Sequence, residues 1–330
     1  MTGDTRSLGE FELIERYFAR STAAGRLRPD VILGVGDDAA LLRLPANTDL
    51  VAAVDTLVAG RHFPVDSAAQ SIGHRALAVN LSDIAAMGAT PAWATLALTM
   101  PAADAGWLEG FSAGLMQLAN EYGVALVGGD TTAGPLTISI QILGYVERGS
   151  ALRRSGAQAG DILAVTGTLG DAGAGLALST GRLAAHDRAA ADELIRRFEY
   201  PTPRVSFGSA ARGIASAAMD LSDGLAGDLP KLCEASGAAA HVDVARLPLS
   251  RAMQALVPPS AAREYALTAG DDYELLIAVP PQRFDDLTAA ARQLNLTFSP
   301  IGELRPGSGV TWTCEGRPYG AARHGYDHFR

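Results

Sequence analysis

The stretch 76–93, ALAVNLSDIAAMGATPAW, contains the change of pattern that decides the fold of the first half of the chain. A segment of helical composition, Ser67 to Met87, ends inside it, and the strand-like run Trp93 to Met100 begins at its end. Helices and strands differ in hydrophobic period, which is about 3.6 residues for a helix and about 2 for a strand. The stretch therefore predicts a helix that leads directly into a strand.

Further segments extend this pattern in both directions. Before the stretch, an amphipathic helix is predicted from Gly9, and the apolar runs 31–33 with 39–44 and 50–54 predict paired strands. After it, a helix is predicted from Trp107 to Tyr122 and a strand from Thr137 to Val146. This order predicts an α+β fold with helices on one face of a largely antiparallel sheet. The other face would be left bare and apolar, so we expect a homodimer in which a second copy covers it.

The chain changes character between Glu147 and Gly160, where arginine and glycine replace the apolar runs. A chain of 330 residues is longer than most single hydrophobic cores. We therefore expect two domains, residues 1–149 and residues 150–330, the second of which mixes helices and strands.

Composition excludes several classes of function. The formal net charge of −9 argues against nucleic acid as a partner, because such binding depends on clusters of Lys and Arg. No apolar run approaches the roughly 20 residues that cross a bilayer, and the first residues lack the pattern of a secretory signal. We expect no membrane contact and a cytoplasmic location.

Lys231 is the only lysine, and its neighbours match neither a P-loop nor the strand lysine of protein kinases.

Acidic residues gather in six short clusters, several of them beside glycines. They are Gly36-Asp37-Asp38, Val54-Asp55-Thr56, Leu81-Ser82-Asp83, Gly128-Gly129-Asp130, Asp220-Leu221-Ser222-Asp223 and Gly270-Asp271-Asp272. A single cluster of this kind is more often a turn or a cap than a site. If several meet in space, their repulsion requires a cation. Mg²⁺ fits, because it is commonly shared between one or two carboxylates and substrate phosphates, and glycines let backbone amides approach phosphate oxygens.

Nine segments, in order along almost the entire chain, resemble the pattern of thiamine-monophosphate kinases. They are LGVGDDAALL, VDTLVAGRHF, ALAVNLSDIAAMGATPAW, LVGGDTTAGPL, RRSGAQAGD, VTGTLGDAGAGL, AMDLSDGLAGDL, AGDDYELLI and GYDHF. Several are long enough that chance agreement in the correct order is implausible. The wider superfamily includes aminoimidazole-ribonucleotide synthetase and selenophosphate synthetase, which share the fold and the use of aspartates.

The resemblance implies an architecture and a reaction. The implied fold is a two-domain aminoimidazole-ribonucleotide-synthetase-like α+β fold, with a ferredoxin-like N-terminal sheet that pairs across a dimer and a C-terminal mixed α/β domain. Residues 1–149 would bind ATP and Mg²⁺ and form the dimer, and residues 150–330 would close the active-site cleft. The implied reaction is the Mg²⁺-dependent transfer of a phosphoryl group from ATP to thiamine monophosphate, the last step of thiamine diphosphate biosynthesis.

The resemblance also implies roles for individual residues. The implied ligands of several Mg²⁺ ions are Asp38, Asp55, Asp83, Asp130, Asp220 and Asp223. The implied ATP contacts are Gly129, Asp130, Arg154 and Ser222, of which Asp130 and Arg154 are the catalytic candidates. His62, Asp271 and Arg323 fall at positions where the family contacts its substrate.

Three departures from the family pattern concern these positions. Ala53 and Val54 stand where the family often carries hydroxyl residues that bind magnesium, so only their backbone carbonyls could do so here. Asp271 replaces the more usual Glu, which shortens the side chain by one methylene. Arg323 stands where an aromatic substrate contact is expected.

The implied transfer needs no nucleophilic side chain, and the sequence offers no convincing one. The second pKa of a phosphate monoester is about 6, so the acceptor phosphate is already largely ionised at neutral pH. Positive charge from Mg²⁺ and Arg154 would offset repulsion between the two substrates and hold them in line.

Two alternatives remain open. One is another ATP-using member of the superfamily, although those tend to carry a Lys or reactive Cys near the N-terminal glycine loop, and this chain has neither there. The other is a non-catalytic metal- or nucleotide-binding protein, for which Ala53 and Val54 are the motivation.

Overall fold

The computed structural model describes residues 10–19 and 28–320. They form two compact units. The N-terminal unit comprises the described residues up to Asn80 together with Pro91–Tyr145, and the C-terminal unit comprises Leu81–Thr90 together with the described residues from Val146 onward. The division between residues 149 and 150 stays a prediction.

The first half of the chain contains six strands and three helices among the described residues. They are α1 (Glu10–Ile14, followed by a π-helical turn, Glu15–Ala19), β1 (Val31–Leu33), β2 (Leu41–Leu42), β3 (Thr48–Val58), α2 (Ala69–Ala86), β4 (Thr90–Met100), α3 (Ala105–Tyr122), β5 (Ala125–Ala133) and β6 (Thr137–Glu147). The main sheet has the order β3–β6–β4–β5, and β4 and β5 are parallel.

Two details of this half differ from the sequence prediction. Strand β3 does not pair with the earlier apolar runs, because β1 and β2 pair with each other in a separate sheet. Strand β5 was not predicted, since its apolar part is short and the glycines at 128 and 129 interrupt it. Glycine weakens the strand pattern in a sequence, but pairing with β4 stabilises this segment as a strand.

Helix α3 shows how local chemistry sets the ends of an element. The Asp104 carboxylate accepts hydrogen bonds from the amides of residues 106 and 107, and Gly123 ends the helix at φ 65°. Helix α2 lies close against it, because a Cβ on Gly73 would be 2.0 Å from the carbonyl oxygen of Phe111. Only glycine permits this approach of the two backbones.

The second half of the chain contains seven strands and seven α-helices among the described residues. They are β7 (Ile162–Thr166), α4 (Asp171–Ser179), α5 (Arg188–Glu199), α6 (Val205–Ala211), β8 (Ala217–Asp220), α7 (Leu225–Ser236), β9 (Ala239–Asp243), α8 (Arg251–Leu256), α9 (Pro259–Thr268), β10 (Leu275–Val279), α10 (Phe284–Gln293), β11 (Phe298–Arg305), β12 (Gly309–Cys314) and β13 (Arg317–Pro318).

These strands form one mixed sheet with the order β13–β12–β9–β11–β7–β10–β8. Strands β12 and β9 are parallel, whereas β10 is antiparallel to both of its neighbours. Every residue of β10 is buried, as expected for a strand with cover on both faces. The sequence between Phe207 and Ala218 predicts one long helix, and this prediction is wrong: α6 ends at Ala211, and Ala217–Asp220 pairs with β10 as a strand.

No α-helix within residues 10–19 and 28–320 is both long and apolar enough to span a bilayer.

Candidate active site

A cavity of about 690 Å³ in the N-terminal unit brings two of the glycine–aspartate clusters together. Gly36, Asp37 and Asp38 line it from one segment, and Gly128, Gly129 and Asp130 line it from β5. Ile14 and Phe18 add apolar surface. Two predicted metal ligands, Asp38 and Asp130, therefore lie at the same cavity.

The parallel pairing of β4 with β5 explains the position of Asp130. Gly129 lies opposite Leu96, and Asp130 lies opposite Ala97. A Cβ on Gly129 would be 1.9 Å from the Leu96 carbonyl oxygen, and the φ of Gly129 is 154°. Only glycine fits there, and the exposed Asp130 follows directly.

Asp55 lies on β3, where a residue that sequence reasoning missed supports it. The Asp55 amide donates to Oδ1 of Asn80 at 3.1 Å, and Nδ2 of Asn80 donates to the Ala76 carbonyl at 3.0 Å. Asn80 is completely buried. Its amide inside an otherwise apolar helical run was the available signal, because a buried polar group needs hydrogen-bond partners.

His62 lies in the N-terminal unit with its ring held by the backbone. Its Nδ1 accepts a hydrogen bond from the amide of Val58 at 2.9 Å. In the neutral ring Nε2 then carries the proton and is the atom that can donate to a ligand.

Asp220 and Asp83 belong to the C-terminal unit. Asp220 ends β8 and is buried, and its Oδ2 accepts a hydrogen bond from Oγ of Ser82 at 2.9 Å. Asp83 is half-buried. Ser82 is a second supporting residue that the sequence did not predict, although it stands between Leu81 and Asp83 in one of the six acidic clusters.

Two loops of the C-terminal unit bring Ser222, Asp223 and Asp271 close together. The Asp271 amide donates to the Ser222 carbonyl, and the Tyr273 amide donates to the Leu221 carbonyl, both at 2.9 Å. Asp271 has a φ of 72°, which is uncommon for a residue with a side chain. The Tyr273 hydroxyl donates to Oδ1 of Asp271 at 3.1 Å, so the Asp271 carboxylate is held in position.

Asp228 holds the loop that carries Ser222 and Asp223. Its Oδ2 accepts hydrogen bonds from the amides of Ser222 at 3.0 Å and Asp223 at 2.9 Å. Lys231 Nζ donates to Asp223 at 2.7 Å and to Asp228 at 2.9 Å. Burial raises the pKa of Asp228. Burial alone would lower the pKa of Lys231, but its hydrogen bonds to the two carboxylates raise it, so Lys231 is charged.

A buried charge cluster stands beside these loops, and the sequence did not predict it. We call it the Glu274 cluster: Glu274, Arg197, Arg204, Thr166 and Asp171, the last of which lies 3.8 Å from Nε of Arg197. Glu274 accepts hydrogen bonds from Arg197 at 2.8 Å, Thr166 at 2.7 Å and Arg204. Burial alone would raise the pKa of Glu274, but the two guanidinium groups outweigh it and hold the pKa below its ordinary value.

The remaining predicted residues are less constrained. Arg154 is exposed, and its carbonyl accepts a hydrogen bond from Oγ of Ser236 at 2.9 Å. Arg323 lies outside the described residues.

The acidic side chains fit a Mg²⁺ ion that takes one or two carboxylates from the protein and its other ligands from water or phosphate. Within the described parts of the chain, no three His, Cys, Asp or Glu side chains form a group that could hold a metal ion. Mg²⁺ usually takes one or two carboxylates and fills its remaining positions with water and phosphate oxygens. Asp38 and Asp130 offer such oxygens at the cavity, and the Lys231 ammonium shows that a cation is accommodated beside Asp223.

Comparisons with known proteins identify the family of this chain. Models of the AIR synthase related proteins match residues 36–146 as the N-terminal domain and 158–315 as the C-terminal domain. A thiamine-monophosphate kinase of Salmonella typhimurium is 49% identical over 322 residues, which is 97% of this chain and 98% of the relative.

Solved structures give the same result. A thiamine-monophosphate kinase from Stenotrophomonas maltophilia K279a is 46% identical with a TM-score of 0.86, over 95% of this chain and 98% of that one. A structure described as "AaThiL complexed with AMPPCP and TMP" is 30% identical with a TM-score of 0.76, over 100% of both chains. The chain therefore belongs to the thiamine-monophosphate kinase family of the AIR synthase related proteins.

Proposed function

We propose that the protein transfers the terminal phosphoryl group of ATP to thiamine monophosphate, giving thiamine diphosphate and ADP. Membership of the kinase family over nearly the full length carries the proposal. A related structure contains AMPPCP, an ATP analogue, together with TMP. The cavity between Gly36–Asp38 and Gly128–Asp130 offers carboxylates and glycine backbone of the kind that binds nucleotide phosphates with a metal ion.

The proposed roles are those that the family resemblance implies. Asp130, Gly129, Arg154 and Ser222 contact ATP, and Asp130 and Arg154 are the catalytic candidates. His62 and Asp271 contact thiamine monophosphate, with Arg323 as a third candidate. The proposed magnesium ligands are Asp38, Asp55, Asp83, Asp130, Asp220 and Asp223. Mg²⁺, when bound, supplies positive charge that offsets repulsion between the donor and acceptor phosphates.

The chain contributes position and charge rather than a nucleophile. The acceptor phosphate is already ionised near neutral pH, so no side chain has to remove a proton from it. The exposed guanidinium of Arg154 can bind phosphate oxygens, since Arg offers several N–H donors. Asn80, Ser82 and Asp228 orient the loops and strand that carry the proposed ligands. Because such groups are fixed before substrates bind, they need no reorganisation during transfer.

We also propose that two copies pair through the four-stranded sheet of the N-terminal unit, the sheet for which the family resemblance implies a ferredoxin-like arrangement. Strand β3 stands at the edge of that sheet as the structure describes it. It exposes Leu50 by 55% and Val54 by 63%. A long, apolar edge strand is a site for pairing with another chain, and a second copy would cover it. The cytoplasmic location stays a prediction.

An assay of ADP release coupled to direct chromatography of thiamine diphosphate tests the reaction. Protein, ATP, Mg²⁺ and thiamine monophosphate should give equal amounts of ADP and thiamine diphosphate. Parallel reactions without acceptor, and with chelator in place of Mg²⁺, should give neither. ATP binding without formation of either product would instead support the non-catalytic binding protein.

A further inference from the structure

The only lysine of the chain, Lys231, lies on α7 with its ammonium group between two carboxylates. Its Nζ is 2.7 Å from Asp223 Oδ2 and 2.9 Å from Asp228 Oδ1. The Asp228 side chain is 1% exposed, whereas that of Asp223 is 34% exposed and that of Lys231 is 44% exposed. The ion pair therefore has one buried end, at Asp228, and one end that solvent and ligands can reach, at Asp223.

The two carboxylates differ in what else they do. Asp228 is fixed, because its second oxygen accepts the amides of Ser222 and Asp223. Asp223 belongs to the same loop but presents its carboxylate outward, toward the ammonium of Lys231. Asp223 can therefore exchange the Lys231 ammonium for another cation without disturbing the backbone of the loop, whereas Asp228 cannot.

We propose that Lys231 is a built-in counter-ion that a divalent cation displaces from Asp223, so that Lys231 sets how tightly this loop binds Mg²⁺. The inference rests on the proposed role of Asp223 as a magnesium ligand. Without a metal ion, Lys231 offsets the repulsion between Asp223 and Asp228. When Mg²⁺ binds Asp223, Lys231 keeps its bond to Asp228 and gives up the one to Asp223.

A positive charge at this position opposes a second cation for two reasons. The ammonium occupies an oxygen of Asp223 that the metal needs, and it repels a dication placed within a few ångströms. Lys231 is thus a positioning residue. It holds the Asp223 carboxylate in place in the metal-free protein and, for the same reason, weakens the binding of a divalent cation there. Its removal should tighten the binding of a divalent cation.

Calorimetric titration with Mn²⁺, used as the probe without ATP or thiamine monophosphate, tests this directly. Lys231→Gln should lower the dissociation constant of Mn²⁺ about fivefold. This factor corresponds to the upper end of the interaction energy measured for partly exposed ion pairs. Lys231→Arg keeps the charge and should retain the parent value. Arg283→Gln is the matched control, because Arg283 forms an i,i+3 ion pair with Asp286 on another helix of the same unit. An unchanged or weaker Mn²⁺ affinity in Lys231→Gln, or no Mn²⁺ binding to either protein, would overturn the inference.

The single lysine allows a second test on the unaltered chain. The acetylation rate of the Lys231 amine by an N-hydroxysuccinimide ester can be followed by peptide mass spectrometry, with and without Mg²⁺. If Mg²⁺ displaces Lys231 from Asp223, acetylation should be faster with Mg²⁺. An equal or slower rate would contradict the exchange. Both tests measure cation binding alone, so a parent protein that forms thiamine diphosphate but shows neither effect would refute this inference and leave the kinase function intact.

Discussion

At the scale of single residues, Asp130 carries the sharpest prediction of the proposed function. Its side chain is exposed at the cavity. It directly follows Gly129, where any residue with a Cβ would collide with the backbone of Leu96. Asp130→Asn keeps the shape and removes the charge. We expect turnover in the ADP-release assay to fall about 100-fold or more, with an unchanged circular dichroism spectrum.

The control for that substitution is Asp104→Asn. Asp104 caps α3 in the same unit, and Asn caps helices as well as Asp does. This variant should retain parent turnover. Parent-like turnover in Asp130→Asn would remove Asp130 from the site.

A second residue, Asp272, gives a prediction about pH. Its carboxylate accepts amides of residues 170 and 172 at the start of α4, yet complete burial raises its pKa well above the ordinary value of 3.8. Between pH 3.8 and this raised pKa, the folded protein therefore binds a proton that the unfolded chain does not. The associated stability is fully present below pH 3.8 and is lost as pH rises through the raised pKa.

Asp272→Asn removes the titrating group, and with it this dependence of stability on pH. The Asn side chain keeps one oxygen that can accept one of the two amides. Compared by urea unfolding at several pH values, the variant should gain stability relative to the parent as pH rises from 4, by at most about 1.4 kcal/mol per pH unit. If the free energy of unfolding varied with pH in the same way for both proteins, the raised pKa of Asp272 would be contradicted.

At the scale of elements, the Glu274 cluster joins β10 to α5 and to the start of α6. Glu274 is completely buried, while the Arg197 and Arg204 side chains are 13% and 16% exposed. Glu274→Gln leaves both guanidinium groups without their shared carboxylate. We expect a loss of about 3 kcal/mol in the free energy of unfolding, the low end of the range for one partner of a buried pair.

The exposed Arg283–Asp286 pair provides the comparison. Its side chains are 43% and 52% exposed, so Asp286→Asn should change stability by less than about 0.5 kcal/mol. Because the pKa of Glu274 is lowered, its contribution is present above the ordinary value of 4.5 and is lost as pH falls. The gap between parent and Glu274→Gln should therefore narrow in acid.

At the scale of the whole molecule, the exposed apolar edge of β3 predicts the oligomeric state. Val54→Asp places a charge where a second copy would pack, and burial of an unpaired charge is costly. In light scattering after size exclusion, the parent should have twice the chain mass of 34.2 kDa and the variant the single mass. Val65→Asp, at an apolar residue exposed by 77% outside β3, should remain a dimer. A parent of single mass contradicts the proposed pairing.

The sequence by itself determined the family, the reaction class and most long elements. Helix α3 and strand β6 were predicted close to their observed bounds, because hydrophobic period and turn residues act over a few positions along the chain. The candidate aspartates were singled out from the sequence, since each lies in a short motif with glycine, serine or threonine.

Only the tertiary structure decided which of these residues meet and what supports them. Ser82 bonds Asp220 across 138 positions, and Thr166 bonds Glu274 across 108. No local pattern encodes such a separation, because it depends on the order in which strands enter the sheet. The same holds for β5, which is a strand by virtue of its pairing with β4, and for the cavity that Asp38 and Asp130 share.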